Sequence, residues 1–261
     1  MRTISIAIKE NPKHYPIFIG ENILGRIAEL FDLKKYSKIA IITDEQIAKF
    51  YLEKLQQAIP YETHLIIVPP GEKAKNIETV TQIWKELLHQ KFDRKSLVIN
   101  LGGGVIGDMG GFAASTYMRG VDFLQIPTTI LSQVDAGIGG KTGIDFADIK
   151  NLIGTFNQPI GVLIDTQTLT SLPEKIYKEG FGEIIKHGLI ANKTYFETVT
   201  SKHPLEFSAG EMIDIISGSC EIKKAVVQED ETEQGKRKLL NFGHTIGHAI
   251  EAILLRTDKP L

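Results

Sequence analysis

Ser96-Leu-Val-Ile-Asn-Leu-Gly-Gly-Gly-Val-Ile-Gly-Asp-Met-Gly-Gly-Phe112 decides the fold. Residues 96–101 form a short apolar run of the kind that makes a buried strand, and it breaks at Gly102-Gly103-Gly104. Residues without Cβ atoms let the backbone turn tightly and approach a ligand closely. A helix then opens, and its first N–H groups and dipole suit a pyrophosphate. Gly107, Gly110 and Gly111 let that helix lie tightly on something flat. The spacing is not a clean G-x-G-x-x-G, so phosphate binding and plain tight packing both remain open for this turn alone.

The same alternation runs to either side. Residues 38–43 (Lys-Ile-Ala-Ile-Ile-Thr) form an apolar run ending at Asp44, followed by a helical segment over 45–58. Residues 63–68 repeat the run and end at Pro69-Pro70-Gly71, with a helix predicted over about 76–90. Further strands are expected near 122–126 and 160–164, and Ile4, Ile6 and Ile8 alternate as a strand between Met1 and Glu10. Strands alternating with helices at this spacing predict an α/β domain, a parallel sheet covered on both faces. After Pro173 the texture changes, and residues 174–190, 209–229 and 243–255 read as helices. The expectation is a Rossmann-like α/β domain over 1–172 and a mainly helical domain over 173–261.

Composition sets the class. The 261 residues are 42% hydrophobic and 24% charged, enough to bury a core. A net charge of −2 and a pI near 6.4 argue against a nucleic-acid or membrane-surface protein. Cys220 is the single cysteine, which excludes an intrachain disulfide and a cysteine-based zinc cluster. No stretch approaches the roughly 20 apolar residues of a membrane span, and the N-terminus lacks the apolar run of a signal peptide. A soluble cytoplasmic protein is expected.

Open parallel sheets bind ligands at the carboxyl ends of their strands. Asp44, Glu72 with Lys75, and Thr128-Thr129 fall at such ends, beside the glycine turn. Pro127-Thr-Thr-Ile-Leu-Ser-Gln-Val-Asp-Ala-Gly-Ile-Gly-Gly-Lys-Thr-Gly143 invites comparison with a P-loop, but Asp135 stands where the first glycine is required. Lys141, flanked by glycines, is read as a loop lysine that can face an anion, against the alternative of a solvated loop. Lys150-Asn151 reads as a polar turn. Glu183-Ile-Ile-Lys186 and Asn241-Phe-Gly-His-Thr-Ile-Gly-His248 form a third group. His244 and His248 share a helix face and can bind a divalent metal with a third ligand, Glu183 being the best carboxylate; local capping or packing is the alternative. The segment is not H-E-x-x-H, so a zinc protease has little support. Asn241 and Arg237 add capacity for phosphate or carboxylate.

In order along nearly the whole chain, these segments resemble 3-dehydroquinate synthase. The most specific are Pro69–Lys75, Gly102–Phe112, Thr116-Tyr-Met-Arg-Gly120, Pro127–Gly143, Lys150-Asn-Leu-Ile-Gly154 and Asn241–Glu251. The resemblance implies an N-terminal NAD-binding α/β domain and a C-terminal helical, metal-binding domain, with the site between them. It implies an NAD site at Asp44, Glu72, Lys75, Gly103, Gly104, Val105, Asp108, Thr128, Thr129, Lys141 and Lys150. One zinc or cobalt ion would be held by Glu183, His244 and a further histidine. Substrate contacts would be Asp135, Lys141, Asn151, Lys186, Lys223, Glu233, Arg237, Asn241 and His248, while Arg119 would reach the neighbouring subunit's phosphate site in a homodimer.

The implied reaction turns 3-deoxy-D-arabino-heptulosonate 7-phosphate into 3-dehydroquinate and phosphate. The family's third metal ligand lies in a His-Gly-Glu segment after the His-x-x-x-His helix. This sequence stops at Leu261 before one, so a C-terminally truncated copy with an incomplete helical domain is expected. Alternatives are another NAD- and metal-dependent sugar-phosphate cyclase, a metal-dependent polyol dehydrogenase, and an inactive NAD-binding fragment.

Overall fold

The architecture is that of a computed structural model describing residues 1–6, 14–147, 149–244, 246, 247 and 250. Ile8 and His248, with most of the helix expected over 243–255, lie outside the described residues; His244, Ile246, Gly247 and Ile250 are helical.

Nine strands are described: β1 (Arg2–Ile6), β2 (Tyr15–Gly20), β3 (Ile39–Asp44), β4 (Thr63–Val68), β5 (Leu97–Gly102), β6 (Asp122–Pro127), β7 (Lys141–Phe146), β8 (Ile149–Phe156) and β9 (Gly161–Asp165). Seven build one sheet in the order β1-β2-β9-β6-β5-β3-β4. Only the β1–β2 pairing in it is antiparallel. β3 and β5 are buried at every position, as strands covered on both faces must be.

The alternation of side chains along each strand sorts the core into two faces. Ile39 and Ile41 of β3, with Leu97 and Ile99 of β5, pack under residues 24–30 and the helix over 45–58. Ala40, Ile42 and Val98 pack on the opposite face under the helices Ile77–His89 and Gly104–Thr116. Further along that second face, Ile17, Ile19, Val162 and Ile164 meet Phe181, Ile184, Ile215 and Ile216. These last four belong to the helices Glu174–Ala191 and Ala209–Glu229, so the glycine-rich helix and the C-terminal helices lie side by side.

The surface under the glycine-rich helix is the large sheet at Asn100 and Gln125 and the small β7–β8 sheet at Thr142. A Cβ at Gly110 would stand 2.1 Å from Asn100 Oδ1, one at Gly111 2.5 Å from Thr142 Cγ2, and one at Gly107 3.2 Å from Gln125 Oε1. The helix can approach this closely only because those positions are glycine.

One expectation is corrected. Residues 130–136 of the lysine segment are helical, and its end at Lys141 joins the expected polar turn at Lys150-Asn151 in an antiparallel hairpin, β7–β8, forming a second small sheet. β8 is mostly exposed, so the buried apolar run that marks the other strands is missing from it.

Candidate active site

The strand order reverses between β3 and β5: the chain moves outward from β3 to β4, then returns to build β5, β6 and β9 on the other side. A crevice opens at the carboxyl ends of strands at such a point. Asp44 ends β3 there and caps the following helix, its Oδ1 accepting from Gln46 N at 2.8 Å and Ile47 N at 2.9 Å. Gly103 precedes the helix Gly104–Thr116, which has neither a side-chain cap nor an acidic residue in its first turn. The amide ends around Gly104 and Val105 thus form a positive helix terminus facing the crevice. Thr128 donates its N–H to Gly102 O at 2.9 Å, and its buried hydroxyl has no partner. A Cβ at Gly103 would lie 3.2 Å from Thr129 Cγ2, so the turn is closed against a side chain there while its backbone stays exposed to a ligand. These features fit a dinucleotide pyrophosphate.

Lys75 joins this crevice to the hairpin. Its buried ammonium donates to Asp108 Oδ2 at 2.7 Å and to Asn151 Oδ1 at 2.5 Å. Burial raises the Asp108 pKa, against the pull of Lys75. Asn151 has a left-handed backbone, φ 54°, and donates its N–H to Asp145 Oδ1. Glu72 sits at the same end of the molecule, close enough to act electrostatically on Asp108. Lys150 is exposed on β8.

The crevice continues into the helical region through the segment 128–136. A Cβ at Gly104 would stand 3.5 Å from Ala136 Cβ. Neighbouring Asp135 is ion-paired with Lys223, whose ammonium also reaches the Asp135 carbonyl at 2.6 Å. Burial opposes ionisation of Asp135, but Lys223 and Lys186 hold its carboxyl well below the usual carboxylate range. Burial pushes the Lys223 ammonium pKa down, with Asp135 acting against it. Helix Glu174–Ala191 comes close because Gly180 abuts Ile130 and Leu131: a Cβ there would lie 2.8 Å from both.

On that helix, Glu183 pairs with buried Lys186 three residues on, and Lys186 donates to Leu240 O at 2.7 Å. The other Glu183 oxygen, Oε1, lies 3.2 Å from His244 Nε2. Two ligand atoms on one tetrahedral ion with bonds of about 2.1 Å stand about 3.4 Å apart, so this pair is spaced to share a divalent cation. Imidazole with carboxylate suits zinc and cobalt. Among the described residues no group of three His, Cys, Asp or Glu side chains converges for a metal. The pair is therefore a partial ligand set.

Lys141 pairs with Glu233, whose Oε1 accepts from Asn241 Nδ2 at 2.5 Å. Glu233 sits at φ 60°, and Lys141 and Asn241 outweigh burial to hold its carboxyl below the usual range. Arg237 is only 1% exposed. Its terminal nitrogens donate to the carbonyls of Glu231 and Gly139, the latter at 3.0 Å. It braces the turn before β7, leaving Nε without a partner. Arg119 is not part of this gathering. It is exposed just beyond the far end of the glycine-rich helix, about 20 Å from the turn by helix length.

Three residues of the site region escaped the sequence reading. Gln133 donates from Nε2 to Thr168 Oγ1 at 3.0 Å, tying the segment after β6 to the turn Thr166–Ser171 after β9. His187, fully buried, meets Ser219 at 2.6 Å beside Asp135, Lys186 and Lys223. Gln133 lies inside the quoted 127–143 stretch without being singled out there, and no motif marks Ser219; a histidine on the apolar face of a helix was the one further signal.

Comparisons with known proteins identify the family. The family described as 3-dehydroquinate synthase N-terminal matches residues 65–179, and the one described as 3-dehydroquinate synthase C-terminal matches 180–258. A 3-dehydroquinate synthase of Hydrogenovibrio crunogenus is 45% identical over 258 residues, covering 97% of this chain and 71% of the relative. A 2-deoxy-scyllo-inosose synthase solved with carbaglucose-6-phosphate, NAD+ and Co2+ superimposes with TM-score 0.87 at 26% identity, covering 97% of this chain and 71% of its own. A 2-epi-5-epi-valiolone synthase from Streptomyces hygroscopicus, solved with NAD+ and Zn2+, gives TM-score 0.80 at 29% identity, covering 91% and 67%.

Proposed function

The chain belongs to the 3-dehydroquinate synthase family, and on that basis we propose that it is a phosphate-eliminating carbon–oxygen lyase. Its substrate is 3-deoxy-D-arabino-heptulosonate 7-phosphate and its products are 3-dehydroquinate and phosphate, a step toward chorismate and the aromatic amino acids. It acts in the cytoplasm as a homodimer, with NAD and one divalent cation as cofactors. One observation carries the reading: the carboxylate–imidazole pair Glu183–His244 is joined to the uncapped glycine turn by a chain of neighbouring groups, Lys186, Lys223, Asp135 and Ala136.

Gly103, Gly104 and Val105 receive the NAD pyrophosphate at the helix terminus, with Asp44, Glu72, Lys75, Asp108, Thr128, Thr129, Lys141 and Lys150 around it. Glu183 and His244 hold the cation. When bound, NAD supplies a reversible hydride acceptor and the cation supplies Lewis acidity.

The chain's own residues bind and orient the substrate. Lys186 and Lys223 stand buried with their charges fixed by Glu183 and Asp135, ready to order hydroxyls and a carboxylate. Asn151 offers its amide at the junction with the NAD side. Lys141 and Asn241 are already joined through Glu233, so an arriving phosphate takes over their donors as Glu233 withdraws. Arg237 adds positive charge behind them. His248, assigned to the same phosphate site, lies outside the described residues. Arg119, exposed and remote from this cluster, serves the partner subunit's site.

The test is phosphate release from 3-deoxy-D-arabino-heptulosonate 7-phosphate in the presence of NAD and Co2+. Phosphate should appear without net NADH, because the hydride returns. Release from a different sugar phosphate instead would assign the chain to another cyclase activity. Net NADH would mark a dehydrogenase, and NAD binding with neither metal uptake nor phosphate release would mark an inactive fragment.

A further inference from the structure

We infer that His187 is a positioning residue: its imidazole fastens the helix carrying Glu183 and Lys186 to the helix carrying Lys223, and so sets how these groups face one another. The inference rests on the site reading given above.

His187 is fully buried, and its Nδ1 lies 2.6 Å from Ser219 Oγ. Glu183 and His187 are four residues apart on helix Glu174–Ala191, so they share a face one turn apart. Ser219 and Lys223 stand in the same relation on helix Ala209–Glu229. The contact is thus one turn from the metal-facing carboxylate on one side and from the Asp135-bound ammonium on the other. Among the described residues it is the side-chain hydrogen bond that joins these two helices directly; Ile184, Ile215 and Ile216 supply apolar packing around it.

Apolar contact is non-directional, and two helices joined by it alone can slide. A short hydrogen bond is directional and fixes register. Burying two polar groups costs desolvation that an apolar pair would avoid, so this pair is better explained by alignment than by stability. Alignment matters here because a misplacement of ~1 Å at a reacting centre can cost roughly 100-fold in rate. Burial, with Lys223 and Lys186 nearby, keeps the ring neutral, so it adds no third positive charge between the two lysines. The Nε2 atom, buried without a partner, offers the competing role of direct ligand contact.

Geometry separates the two roles. The amide nitrogen of asparagine occupies the place of Nδ1, and that of glutamine the place of Nε2. His187→Phe, His187→Asn, His187→Gln and Ser219→Ala are compared in the full chain. The readouts are backbone hydrogen–deuterium exchange over residues 183–187 and 219–223, and Co2+ affinity followed by visible absorption. His187→Phe and Ser219→Ala should speed exchange in both segments and weaken Co2+ about tenfold, the scale of lost outer-shell support. His187→Asn should restore both readouts. Rescue by His187→Gln and not by His187→Asn would overturn the inference in favour of Nε2. Unchanged exchange and Co2+ affinity in Ser219→Ala, the milder change, would overturn it as well. An unsubstituted chain that takes up no Co2+ would instead overturn the site reading, while the exchange result still decides whether His187 aligns the helices.

Discussion

Glu183 and His244, separated by 61 positions in sequence, bring Oε1 and Nε2 to 3.2 Å, while the second oxygen of Glu183 is held by Lys186. The two residues should therefore respond differently to substitution. His244→Ala, at a side chain 32% exposed, should lose Co2+ binding with little loss of stability. Glu183→Gln should lose Co2+ and also leave the buried Lys186 ammonium without its carboxylate, at a cost of about 3 kcal/mol. Metal stoichiometry and urea unfolding on the same samples check both. Full stoichiometry in His244→Ala would refute the ligand assignment.

Two glycines of one helix should separate packing from binding. Gly110→Ala drives a methyl group to 2.1 Å from Asn100 Oδ1 and should destabilise by about 3 kcal/mol. Gly104→Ala meets Ala136 Cβ at 3.5 Å, an ordinary contact, and should leave stability near the parent. If Gly104 receives the nucleotide phosphate as proposed, the added methyl obstructs it, and NAD should bind at least tenfold more weakly, roughly 1.4 kcal/mol. Calorimetric titration with NAD and thermal unfolding read the two effects independently.

Lys75 is the single ammonium shared by Asp108 and Asn151. Lys75→Met leaves a carboxyl whose pKa burial already raises, and should cost about 3 kcal/mol. Adding Asp108→Asn should recover part of that loss, since the stranded charge is removed. A double-mutant cycle by denaturant unfolding gives the coupling, and additive losses would show that the pair acts independently.

His187 predicts a pH dependence. Burial lowers its pKa from 6.5 to about 3, so the folded chain resists a proton that the unfolded chain accepts. Stability from this group is complete above the unfolded value and is lost as pH falls from about 6.5 toward 3. At pH 5 the loss is about 2 kcal/mol relative to neutral pH, from 1.36 kcal/mol per pH unit. His187→Phe should flatten this part of the stability profile. An identical slope in parent and variant would contradict the assignment.

Much of the sheet was legible because strands covered on both faces must be apolar throughout. Ile39–Asp44 and Leu97–Gly102 are accordingly found within one residue or so of their apolar runs, while Thr63–Val68, an edge strand buried only at Ile66 and Val68, was legible from its apolar run alone. The β7–β8 hairpin was not legible, because a largely exposed strand that mixes apolar residues with Lys150, Asn151, Gly154 and Thr155 carries no such run. Its closeness depends on Gly154, where a Cβ would lie 2.2 Å from Thr142 O, a demand made by a partner strand invisible in the local sequence. At the site, Asp44, the triple glycine, Glu183 and His244 could be picked out because their chemistry is written in residue type and spacing. The burial of Arg237 against two carbonyls, and the pairing of His187 with Ser219, depend on which helices the fold lays together.

Ile17 of β2 takes its place beside Val162 of β9, and Ile19 beside Ile164. A nascent chain emerges from its N-terminus, so β2, which pairs with β1 from the start, must wait for some 145 further residues before its second neighbour exists. Through that interval the β9-facing edge of an apolar strand remains unpaired, open to pairing with other copies. The helices bearing Glu183 and Lys223 bury their apolar faces against these same strands. Ordering of the catalytic end is therefore tied to a late closure across the length of the sheet, and long-range closures of this kind are slow.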